Sequence, residues 1–155
     1  MNRLLALAAL VSSLLVAAPQ AAQAAQAAPG CSEADSRAAS QKYLDALVDR
    51  HAAWSIPLDP FVLRIENGLP TSVSAADLKL QLFLHIQYSV YTSIEDLVWT
   101  WQPGGRAQVI NATYRLPIVV AGLPLASSTV IEDFTLTAAC TIKRIDATFT
   151  VDPPA

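Results

Sequence analysis

The chain has 155 residues, 53% of them apolar and only 15% charged, against roughly 25% charged in an average soluble domain. Its formal net charge of −3 excludes the basic footprint that a nucleic-acid partner requires. The two histidines and two cysteines form no ligand cluster, and no glycine-rich phosphate loop or catalytic-triad motif occurs, so neither a metal nor a cofactor is expected.

Met1-Asn2-Arg3 is a short positive start, and Leu4 to Ala18 is apolar apart from Ser12 and Ser13. Pro19 ends the run, and the small-residue triplets Ala22-Gln23-Ala24 and Ala25-Gln26-Ala27 follow. This is the layout of a secretory signal peptide, assigned to residues 1–27, with one domain over residues 28–155. The apolar run is short of the roughly 20 residues that a membrane span needs. A secreted or cell-envelope location follows as an expectation. In an exported chain, Cys31 and Cys140 most simply form one disulfide. The alternatives are two free thiols or a lipid on Cys31, although Ala28 stands where a lipoprotein signal has a bulky apolar residue.

Ser32 to His51 reads as a helix. Ser32 is a good N-cap, and Glu33 and Asp35 sit in the first turn, where the helix dipole favours acids. Ala39, Tyr43, Leu44, Leu47 and Val48 form one apolar face, and Arg50 and His51 are expected to close the last turn. Ala52 to Pro60 reads as a bend. Phe61 to Glu66 is a strand, Asn67-Gly68 a turn, and Leu69 to Val73 a loop. Ser74 is placed to cap a helix from Ala75 to about Ile86. Leucines there obey both the strand and the helix period, and length favours helix.

The β pattern is clearer afterwards. Tyr91 to Gln102, Ala107 to Val120, Ser128 to Ala138 and Thr141 to Val151 read as four strands. They are joined by turns at 103–106 and 121–124, with Pro117 at a break or bulge. The expected class is α+β: a curved antiparallel sheet packed against N-terminal helices.

Three segments carry a resemblance. They are Tyr43-Leu44-Asp45-Ala46-Leu47, then Leu63-Arg64-Ile65-Glu66-Asn67-Gly68, and the pair Ile131-Glu132-Asp133-Phe134-Thr135-Leu136 and Ile142-Lys143-Arg144-Ile145-Asp146-Ala147. From Ser32 to Val151 the layout resembles the nuclear transport factor 2-like superfamily, which includes ketosteroid isomerases, SnoaL-like polyketide cyclases and limonene epoxide hydrolases. The resemblance implies a cone-shaped sheet whose mouth holds a small apolar ligand; a homodimer through the sheet, burying Trp99 or Trp101, is a separate expectation.

Glu132 is the sharpest chemical signal. Alternation puts it on a face with Val130, Phe134 and Leu136, where a carboxyl is costly unless paired or protonated. It is a pocket acid, an acid at an edge position, or a structural acid paired with Arg64, Arg115 or Arg144. The resemblance places Glu132 at an oxyanion-stabilising acid and Tyr43 at a donor tyrosine of the isomerases. It places Asn67 where they carry the proton-moving aspartate, and an amide cannot be a general base at neutral pH. Asp146 resembles the last-strand acid of the epoxide hydrolases, but their Arg-x-Asp pair is missing, and Arg144 is placed to pair with Asp146.

Tyr43, Asn67, Glu132 and Asp146 are therefore the pocket candidates. His51 looks like a helix end and His85 is a candidate cavity residue. Trp99 and Trp101 are read as core or an oligomer surface, and Asn111-Ala112-Thr113 matches the N-glycosylation pattern. The expected function is binding of a small hydrophobic ligand without chemistry. The alternative is an isomerase, cyclase or hydratase acting on a lipid-like or polyketide-like substrate through Glu132 and Tyr43.

Overall fold

The computed structural model describes residues 30–102 and 108–153. The leader and the turn at 103–106 lie outside these. Ser32 caps helix α1 (Glu33–Val48), its hydroxyl accepting the Asp35 N–H at 3.1 Å. The helix ends at Val48, short of the expected His51. Asp49 turns extended there, and its carboxylate accepts the His51 N–H at 2.9 Å, starting a separate 3-10 turn over Arg50–Ser55. Arg50 and His51 therefore open the next element rather than close α1.

Strand β1 (Leu58–Glu66) follows, and then β2 (Leu69–Ser72), in place of the expected loop. Asn67 and Gly68, with φ of 47° and 83°, form the two-residue turn that hairpins require, and that turn pairs Leu69 with Glu66. Ser74 caps α2 (Ala75–Leu84), which settles the ambiguous leucine segment as helix; Leu78 and Leu82 are its buried face. The rest is β3 (Glu95–Gln102), β4 (Gln108–Val120), β5 (Leu123–Leu136) and β6 (Ile142–Asp152). Pro117 does not break β4. It stays paired with Ser127, and the register slips one step later, between Ile118 and Val119.

The six strands form one sheet in the order β2-β1-β6-β5-β4-β3, with β2 and β3 as open edges. It is mixed rather than wholly antiparallel. The meander β3 to β6 brings the last strand beside β1, and the two run parallel. Tyr43, Leu44, Ala46 and Leu47 of α1 pack with α2 onto the sheet's inner face, where Ile110, Phe134, Ile142 and Ile145 are buried. Cys31, just before α1, is disulfide-bonded to Cys140 in the β5–β6 turn, so its sulfur is not free to carry a lipid. No helix among the described residues is long and apolar enough to cross a membrane.

Candidate ligand site

A cavity of about 220 Å³ opens between the helices and the inner face of the sheet. Strand alternation supplies its polar groups. On β1, Arg64 and Glu66 follow Val62 on the inner face. On β5, Ser128, Val130 and Glu132 point the same way. Tyr114 and Leu116 come from β4, and Ala147 and Phe149 from β6. Leu47 closes one side from α1. The connection between α2 and β3 lays Gln87, Tyr88 and Tyr91 over the rest.

Glu132 is 1% exposed and makes no ion pair among the described residues. The Tyr114 hydroxyl donates to its Oε2 at 2.8 Å. Burial pushes the carboxyl up to about 7, against the charge of Arg64 and the hydroxyls of Tyr114 and Tyr43, which favour the carboxylate. The arginines named as alternative partners are engaged elsewhere. Arg64 Nη2 pairs with Glu66 at 2.7 Å, Arg115 with Asp96 at 3.6 Å, and Arg144 with Asp146 at 2.6 Å.

Arg64 is itself buried. Its Nη1 donates to the Tyr88 hydroxyl, and its guanidinium lies over the rings of Tyr43 and Tyr88. Burial works against its charge, and the Glu66 carboxylate beside it favours the charged form, so Arg64 stays protonated. Its Nε–H is buried with no acceptor. Burial also raises the pKa of Tyr43, Tyr88 and Tyr114, so all three remain protonated donors at neutral pH.

The structure sorts the sequence candidates. Tyr43 is fully buried and edge-on to Phe134, behind the carboxyl rather than in the cavity wall. Its hydroxyl lies near enough to act on Glu132 but completes no hydrogen bond of good geometry. Tyr114 takes the donor position instead. Asn67 is exposed and outside the cavity. Its Oδ1 accepts the Phe149 N–H at 3.0 Å and its Nδ2 donates to the Phe149 carbonyl at 3.4 Å, which fastens the turn to β6. Asp146 lies on the opposite face from Ala147 and is occupied by Arg144, with bonds of 2.6 and 2.8 Å. Neither lines the cavity.

His85 is not in the cavity wall. It ends α2 in a left-handed conformation, and its Nε2 donates to the Leu47 carbonyl at 3.0 Å. Trp99 and Trp101 pack against the core, Trp99 beside Phe134. Asn111 donates to Asp133 at 2.9 Å within the sheet, a partly buried place unsuited to a glycan.

Sequence reasoning missed Tyr114, Tyr88, Tyr91 and Glu66 as cavity residues and saw Arg64 only as a pairing partner. Tyr114 was legible: Ile110, Ala112, Tyr114 and Leu116 alternate inward along β4. Tyr88 and Tyr91 sit in a connection with no periodicity.

No family model and no curated protein matches the sequence. Solved structures do match. An LEH-like epoxide hydrolase from Mycobacterium tuberculosis aligns at 15% identity and TM-score 0.55, over 76% of this chain and 84% of that one. A protein of unknown function from Exiguobacterium sp. 255-15, described as nuclear transport factor 2-like, aligns at 12% identity and TM-score 0.52, over 72% and 98%. The chain has the nuclear transport factor 2-like fold. A SnoaL-like family protein from Agrobacterium tumefaciens strain C58 aligns over 76% of this chain and 98% of its own, at 14% identity and TM-score 0.51. At these identities the likeness speaks for the fold. The nuclear transport factor 2-like fold accounts for the cavity's position between helices and sheet, and the chemistry must come from the side chains.

Proposed function

We propose that the protein is an exported domain that binds a small, mainly apolar ligand bearing one hydrogen-bond-accepting group, without transforming it. The leader over residues 1–27 and the Cys31–Cys140 disulfide support export. The observation that carries the binding reading is Glu132. A carboxyl buried in a cavity wall, without an ion pair among the described residues and lifted to about 7, is a neutral donor below that pH. Tyr114 occupies its Oε2, which leaves the other oxygen to present the proton. The acceptor-free Nε–H of Arg64 calls for the same kind of group. Leu47, Leu116, Val130 and Phe149 supply apolar wall. Pockets for drug-sized ligands run to roughly 300–1,000 Å³, so a cavity of about 220 Å³ suits a smaller body.

Calorimetric titration with a short ketone such as 2-octanone tests this. Affinity should fall as pH rises through about 7, because the donor ionises there. Glu132→Gln, a donor that does not titrate, should bind with that pH dependence removed. A ketone that fails to bind, or the same pH profile in the variant, would refute the reading.

One observation favours an isomerase, cyclase or hydratase as the second reading. Glu66, held beside Arg64, and Glu132 face one cavity in different environments, as a base and an acid would. Tyr114, not Tyr43, would then be the phenol at the acid.

A further inference from the structure

The cavity described above is short for a ligand with a long apolar body, yet one of its lining residues, Gln87, adjoins exposed hydrocarbon. Gln87 lines the cavity and also lines a second depression of about 300 Å³, whose other walls are Gln81, Leu84 and Ile86. Ile86 is 80% exposed and Leu84 is 51% exposed. Both lie at the end of α2, where the left-handed turn at His85 swings the chain from the helix toward the cavity residues Gln87 and Tyr88. On the opposite element, Leu69 pairs with the cavity residue Glu66 across the β1–β2 ladder. Directly paired side chains project from the same side of a sheet, so Leu69, 70% exposed, also stands on the mouth's side. Two separate elements, each adjoining a cavity residue, thus carry exposed apolar side chains.

We infer that the ligand is a single-tailed amphiphile, whose polar head enters the cavity and whose hydrocarbon tail leaves past Gln87 to lie along Leu84 and Ile86. This rests on the binding reading above and adds the class of ligand. The two depressions adjoin at Gln87, which lines both, and this argues for the tail of the cavity's own ligand as the occupant. A head confined to about 220 Å³ leaves any longer tail outside, and the adjoining depression removes it from water. The walls beside the mouth carry amide and hydrocarbon side chains and no charge, which suits a tail rather than a second ionic group.

The test uses a series of straight-chain methyl ketones, from hexyl to tetradecyl, titrated into the full-length mature protein and into Leu84→Asp and Ile86→Asp. Both positions are exposed, so the variants should fold, and thermal melts verify this. In the wild type, affinity should rise with each methylene buried, by up to about fourfold. In the variants the shortest ketone should bind as in the wild type, while the rise with length flattens. An unchanged rise in both variants would show that the tail runs elsewhere and overturn the inference. So would a wild-type affinity independent of chain length. Vesicle binding or self-association lost in Ile86→Asp, with the length dependence intact, would assign the apolar rim to a membrane or a second copy and also overturn it. Failure of every ketone, short ones included, would instead strike the cavity reading, which Glu132→Gln checks separately.

Discussion

Glu132→Gln should stabilise the folded protein at neutral and alkaline pH and leave it nearly unchanged in acid. The carboxyl titrates near 4.5 when the chain is unfolded and near 7 when folded, chiefly because burial removes it from water. Below about pH 4.5 both states hold the proton, and nothing is lost. Between the two values the native state binds more protons than the unfolded state, so stability falls as pH rises. Above about 7 the loss is complete, at about 3 kcal/mol. Glutamine has nearly the same shape, its Oε1 can still accept from Tyr114, and it never ionises. The variant should therefore match the wild type within about 1 kcal/mol at pH 4, a hydrogen bond's worth of difference. It should exceed the wild type by up to about 3 kcal/mol at pH 8. Urea melts of both proteins at several pH values give the two curves. A variant less stable than the wild type at pH 8, with the deficit disappearing in acid, would mean that Glu132 is a paired structural carboxylate, and the reasoning would be wrong. Parallel curves would mean that its pKa is unshifted.

Non-reducing mass spectrometry of mature protein should show Cys31 linked to Cys140, and Cys140→Ser should cost up to roughly 4–5 kcal/mol, measured by denaturant midpoint, because the bridge closes a loop spanning 109 residues. Arg64→Met should destabilise by roughly 1.5–3 kcal/mol, since it removes the charged hydrogen-bonding partner of partly exposed Glu66. It should also move the pH-dependent loss of stability to higher pH, since Arg64's charge restrains Glu132; an unmoved profile would separate the two groups. Asn67→Ala should cost about 1–2 kcal/mol, through the strained φ of 47° and the two lost bonds to Phe149, while leaving ketone affinity intact. Reduced affinity would return Asn67 to the site.

Local signals in the sequence determined a good part of this protein. Ser32 and Ser74 marked both helix starts because a hydroxyl that can accept a free helix N–H is a local property. Asn67-Gly68 marked its turn because few residues tolerate positive φ. Alternation along β5 put Glu132 among Val130, Phe134 and Leu136, and burial of that face followed. What alternation cannot say is which inward residues from different strands meet. The parallel alignment of β1 with β6, invisible in either strand alone, decided that Arg64 and Glu66 would share a cavity with Glu132. The β4–β5 register set Tyr114 opposite Val130, one inward position from the carboxyl, and so made Tyr114 rather than Tyr43 its donor. Asn67 stands in the β1–β2 turn, held to the Phe149 backbone, and alternation along β6 turns Asp146 to the face opposite Ala147, where Arg144 pairs with it. Tyr88 and Tyr91 had no local signature, because an irregular connection takes its path from the elements it spans. The sequence specified which side chains face inward; the three-dimensional pairing of strands chose which of them stand together, because electrostatics and desolvation act through space and not along the chain.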